Sequence, residues 1–251
     1  MDGMEQKAYL DQIVLLNTFG TLLKQEFQFP NICEMVASVV SHYDRDLSVV
    51  KDLSLKGDYP FKDFGKHEAV HPAIKYLFSI GSDLGSLDKI LIDGAEYLMT
   101  ELKLKQENVN KRDINEIQFY NAVSIFMNNG YPLVNSVKAV AQISSNEINR
   151  DNIYDGKIAI ENDYQKIEGY VSLSGKLYDG LKRFPDLFTP KYVEMIKKTE
   201  IKPKTSDMDA DLKLIKTLNG IVLYMVGERT GSSSHHAAIR MLTPRNRYCI
   251  E

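Results

Sequence analysis

The sequence predicts an all-α protein: two tandem six-helix-bundle-like repeats joined by a short polar linker. Three observations predict it. Apolar residues recur at i, i+3 and i+4 through most of the 251 residues, with no credible run of strand alternation. Residues 102–115 are polar, mixed in charge and without an apolar stripe, which places the linker at 104–115. The order of helices and proline turns before that stretch returns after it. The resulting division is a first bundle at 1–103, a second at 116–226 and a polar tail at 227–251.

The first long helix is predicted over Lys7–Gln25, with Leu10, Ile13, Val14, Leu16, Phe19, Leu22 and Leu23 as its stripe. Phe27–Pro30 reads as a turn, because a proline disfavours helical geometry in the residue before it. Asn31–Tyr43 is predicted helical with Ile32, Met35, Val36, Val39 and Val40 inward, and Arg45–Leu55 follows. Residues 56–60 form a loop, and a short helix is expected around Phe61–Val70. A hairpin over His71–Leu91 closes this half. Pro72 opens its first helix, Ile74, Leu77, Phe78 and Ile80 mark the buried face, and Gly81 and Gly85 interrupt the pattern. Gly85 allows close backbone approach, and Asp83 or Ser86 can cap the second helix.

The second half restarts with Ile117, Tyr120, Val123, Ile125 and Phe126, stopping at Asn128-Asn-Gly-Tyr-Pro132. Leu133–Ile143 gives the next helix, and Asp151–Leu173 a longer stretch anchored by Ile158, Ile160, Tyr164, Ile167 and Val171. Gly175–Leu181 is a turn feeding a short helix. Phe184–Pro190 leads into Tyr192–Thr199, and Ala210–Val226 is the final helix. The halves align through Phe29-Pro30 against Tyr131-Pro132 and Pro72 against Pro190.

Charge and composition exclude several function classes. A net charge of −3 leaves no basic footprint for nucleic acid. No window approaches the roughly 18 apolar residues that a membrane span needs, and the acidic, polar Met1–Lys7 is unlike a signal peptide. Cys33 and Cys249 match no metal or redox spacing, which points to a reducing compartment.

One stretch tempts a catalytic reading. His67-Glu68-Ala-Val-His71 fits H-E-x-x-H, which on a helix sets two histidines one turn apart with the glutamate as general base; Glu96 is the candidate third ligand of a zinc hydrolase. Pro72 argues against it by biasing His71 out of helical geometry. The blander expectation is a solvated helix end with two surface histidines. His235-His236 lies in a serine-rich tail. Gly227–Ser234 lacks the Gly-Lys-Ser/Thr of a phosphate loop. Asp207, Asp209 and Asp211 suit helix capping better than a cation loop. Tyr59, Phe61 and Tyr131 are candidate exposed anchors for a partner.

Two motifs carry a family resemblance. Phe119–Leu133 has the form of a long helix ending in Asn-Gly-x-Pro-Leu. Leu77-Phe-Ser-Ile-Gly81-Ser82-Asp-Leu-Gly85-Ser-Leu87 has the form Met-Ile-x-x-Gly-Glu-x-x-Gly-x-Leu, with Ser82 in the glutamate's place. In the second half Leu177–Pro185 leads into Met195-Ile-Lys-Lys-Thr199-Glu200, where Thr199 replaces the first glycine. These residues resemble the cytoplasmic F domains of the inner-membrane platform proteins of type II secretion and type IV pilus machines. The likeness spans most of residues 8–222 and implies six helices in each half. In the family, membrane spans separate the two domains. Here a polar linker alone joins them, which implies a relative without spans or cytoplasmic parts joined directly.

The function so implied is a non-enzymatic scaffold with no cofactor and no metal. It would bind a protein partner on the cytoplasmic side, either the assembly ATPase or a membrane subunit, with self-association open. Gly81, Asp83, Gly85 and Glu200 at the helical tips are the expected contact residues, the glycines for shape and the acids for contact or capping.

Overall fold

The computed structural model describes residues 3–61, 63–64, 70–84, 87–148, 157–201 and 207–231. Every element among them is helical. The chain divides into two compact units, Met1–Leu102 and Lys103–Glu251, and no described helix is long and apolar enough to cross a membrane.

The first unit contains α1 (Gly3–Lys24), α2 (Phe29–Val39), a 3-10 turn (Ser41–Tyr43), α3 (Asp44–Leu55), α4 (Pro72–Leu84) and α5 (Leu87–Gln106) as far as Leu102. Pro72 and Pro30 sit in the first turns of α4 and α2, where a missing N–H costs nothing. Phe29 is itself the first residue of α2, not the turn residue expected from Pro30. Gln28 takes the extended geometry instead, φ −69° and ψ 136°. Phe61 stacks on Phe78 with ring centroids 4.4 Å apart, and Phe19 and Phe29 close around it. Each such fully buried ring contributes about 2–3 kcal/mol. Phe61 is therefore a core residue and not a partner anchor; Tyr59 and Tyr131 are half-buried.

The buried faces of α1 and α2 are shifted from the stripes expected by sequence. In α1 the core face runs through Tyr9, Gln12, Ile13, Leu16 and Phe19, leaving Leu10 and Val14 exposed. In α2 it runs through Ile32, Cys33 and Val36, leaving Met35 and Val39 exposed. Gly20 brings α1 against α5: a Cβ there would lie 2.9 Å from both the Asp88 carbonyl oxygen and Ile92 Cγ1. Gly94 of α5 faces Ile74 and Leu77 of α4 and Leu16 of α1, so α5 packs on both helices. Gly81 does not interrupt α4, which continues to Leu84.

The second unit contains α6 (Lys111–Asn128), α7 (Leu133–Ile148), α8 (Lys157–Ser174), α9 (Leu177–Leu181), α10 (Pro190–Ile201) and α11 (Asp207–Thr230). Of the expected linker, only 107–110 lies between helices, because α5 continues to Gln106 and α6 starts at Lys111. Asn110 caps α6: its Oδ1 accepts the Asp113 N–H at 2.9 Å and its Nδ2 donates to the Asp113 carboxylate. Gly130 ends α6 with φ +90°, a conformation side chains resist. α6 packs on α7 and α11, α8 on α7 and α9, and α10 on α9 and α11. Phe119, Tyr120, Tyr164 and Phe188 form the aromatic centre. Gly227 and its neighbours up to Thr230 are the last turn of α11, not a phosphate loop.

Candidate functional site

Each unit buries a polar cluster where its first helix meets the start of its proline-led helix. In the first unit that helix is α4, and His71 precedes it. The Gln12 side chain on α1 accepts the His71 backbone N–H at 2.8 Å. His71 Nδ1 accepts the Ala73 N–H at 3.2 Å, so the imidazole is the N-terminal cap of α4. An accepting Nδ1 places the neutral ring's proton on Nε2, which lies 3.2 Å from the Glu101 carboxylate of α5. Tyr9 donates its hydroxyl to the other oxygen of Glu101 at 2.8 Å, and Tyr9 and Tyr97 rings flank the imidazole. The His71 side chain is only 10% exposed, so it is no surface histidine. Pro72 favours this, because the residue before a proline is biased out of helical geometry and so suits a cap.

In the second unit the proline-led helix is α10, and Thr189 precedes it. Glu116 on α6 has a side chain fully out of solvent. Its carboxylate accepts the Thr189 N–H at 2.7 Å, the Thr189 hydroxyl at 2.7 Å and the Tyr120 hydroxyl at 3.2 Å. Arg112, one turn earlier, lies 3.5 Å from that carboxylate and donates to the Asp186 carbonyl and to Thr189 Oγ1. Asp113 accepts from Arg229 of α11 at 2.5 Å. Burial alone would raise the Asp113 carboxyl, but hydrogen bonds from Arg229 and Asn110 and both arginine charges outweigh it and hold the group below its usual range. Tyr192 donates to Glu228 at 2.8 Å, and burial, then that carboxylate, push the phenol far above its ordinary range.

The two clusters share one bond: a glutamine or glutamate of the first helix takes the N–H of the residue before the helix-opening proline. Their tyrosine–glutamate bonds differ, since Tyr9 of α1 reaches Glu101 of α5 whereas Tyr192 of α10 reaches Glu228 of α11. Both close a backbone or side-chain donor that burial would otherwise leave unmet.

The expected site residues fall apart from one another. Glu200 is half-buried and its two oxygens accept the N–H groups of Leu177 and Tyr178 at 2.7 and 2.9 Å, which caps the short α9 from α10. Burial pushes its carboxyl up, against those two amides. Thr199, in the place of the family's first glycine, bonds Thr217 across α10 and α11 at 2.9 Å. Gly81 and Asp83 are on the last turn of α4, with their side chains outside the described residues, as is all of Gly85. His67 and Glu68 also lie outside them. Glu96 is exposed on α5, and among the described residues no three His, Cys, Asp or Glu converge as a metal site. Asp209 and Asp211 are exposed near the start of α11.

Gln12, Tyr9, Glu101, Glu116, Thr189 and Arg229 were not among the residues singled out from sequence. A signal existed: Gln12 and Glu116 are polar residues inside an apolar stripe, beside Ile13 and Leu16 and beside Ile117 and Tyr120. No protein-family model matches the chain, and neither a curated protein nor a solved structure is significantly similar to it.

Proposed function

We propose that the chain is a non-enzymatic helical scaffold of two F-domain-like bundles, acting on the cytoplasmic side of a type II secretion or type IV pilus-like machine. Its partner is the assembly ATPase or an inner-membrane subunit. The observation that carries the reading is the shared bond to the residue before each helix-opening proline, Gln12 to the His71 N–H and Glu116 to the Thr189 N–H. Two halves that fasten the proline-led helix to the first helix in the same way support a duplicated bundle. Polar groups that fasten helices in this way support scaffolding over catalysis, because both nitrogens of His71 are already engaged.

The partner class comes from the resemblance alone. Its test is a pull-down of the purified chain with the assembly ATPase, comparing wild type with Gly85→Trp and Asp83→Lys. Retained capture by both variants removes the first tip as the contact. Metal analysis of the purified protein tests the catalytic reading. Stoichiometric zinc that is lost in His71→Ala overturns the scaffold.

A further inference from the structure

Two exposed surfaces on this chain complement each other, and neither belongs to the clusters above. On the second unit, Leu173 of α8 is 86% exposed. Tyr170 lies one turn before it on the same flank. The Arg183 guanidinium sits over the Tyr170 ring at 4.2 Å, and the Phe184 ring is 6.4 Å from Tyr170. Stacking holds the guanidinium in place, and Arg183 remains exposed with no described carboxylate paired to it. An apolar platform beside a fixed, unpaired guanidinium suits a carboxylate flanked by apolar side chains.

The first unit carries such a surface. Met99 and Glu96 lie three residues apart on α5, both exposed; Leu10 and Val14 are exposed on α1. The Tyr9–Glu101 bond and the approach of Gly20 to Asp88 set α1 and α5 side by side and antiparallel, which puts Leu10 and Met99 at one level. No described cation pairs with Glu96. Partial burial, then the charge of Asp93, push its carboxyl above the ordinary range, so an incoming cation relieves it. Overall charge points the same way: residues 1–102 hold 9 Lys and Arg against 16 Asp and Glu, and residues 103–251 hold 22 against 18.

We propose that two copies of the chain associate head to tail, Arg183 of one pairing with Glu96 of the other while Leu173 packs among Leu10, Val14 and Met99. The two surfaces differ, so the contact is heterologous, and copies add until a ring closes. This inference does not rest on the secretion reading.

Sedimentation velocity of the whole chain over a concentration series tests it, with Arg183→Ala and Glu96→Ala, both at exposed positions and checked for folding by circular dichroism. Wild type gains mass with concentration and loses it at high salt. Either variant alone weakens association by about tenfold or more. An equimolar mixture of the two restores one intact contact, so it associates again but stops at a dimer. A wild type monomeric throughout overturns the proposal. So does a loss seen with only one variant, association indifferent to both, or a mixture that gains nothing.

Discussion

The carboxylate of Glu116 accepts the backbone N–H of Thr189 at 2.7 Å, from 73 residues away and with no solvent on its side chain. Replacing it by alanine leaves the Thr189 N–H, the Thr189 hydroxyl and the Tyr120 hydroxyl without that acceptor. Glu116→Ala is expected to cost about 3–5 kcal/mol, and Glu116→Gln, which keeps one acceptor oxygen, clearly less. Urea midpoints at constant m-value check this; equal midpoints for both variants would contradict the buried acceptor role.

Two helical glycines should respond to alanine with opposite signs. At Gly20 the new Cβ would meet the Asp88 carbonyl oxygen at 2.9 Å, a backbone atom that cannot step aside. Gly20→Ala is expected to destabilise by about 1–3 kcal/mol despite alanine's better helix propensity. Gly169 in α8 has nothing within 4 Å of the same position. Gly169→Ala should therefore stabilise by about 0.5–1 kcal/mol. Thermal denaturation of the two variants settles both signs.

Acid should loosen the second unit through Asp113 and Glu228. For both, burial raises the carboxyl, but hydrogen bonds and neighbouring cations outweigh it, so the folded-state value lies below the unfolded one. A depressed carboxylate contributes stability above its unfolded value of about 4, and that contribution is lost as pH falls through the folded value. Glu200 has the opposite sign. Its carboxyl is raised by burial, so its ionisation opposes folding as pH rises above the ordinary glutamate range. Stability is expected to be greatest in mild acid and to fall below about pH 4. Asp113→Asn should flatten the acid limb of a pH series of urea midpoints; an unchanged limb would rule Asp113 out.

Cys33 is 2% exposed in α2, and burial pushes its thiol up to about 12. The reactive species is the thiolate, so Cys33 should resist an aromatic disulfide reagent at neutral pH until the chain is unfolded. Counting thiols released before and after adding denaturant checks this; immediate reaction of both cysteines would contradict it.

The sequence by itself determined the helical class and much of its punctuation. Pro72 and Pro190 start α4 and α10, and the Asn-Gly at 129–130 ends α6, because these are properties of single residues and their nearest neighbours. It also showed which positions repeat at helical spacing. It did not show which flank of each stripe is covered: Leu10, Val14, Met35 and Val39 share the spacing of the core yet face outward, and Phe61, a candidate exposed anchor by sequence, is buried against Phe19 and Phe78 of the first unit. Only the tertiary structure decided the polar clusters. A buried Gln12 or Glu116 is tolerable only when a donor meets it, and those donors are backbone amides 59 and 73 residues away. No local pattern encodes such a meeting, because it arises when two helices pack.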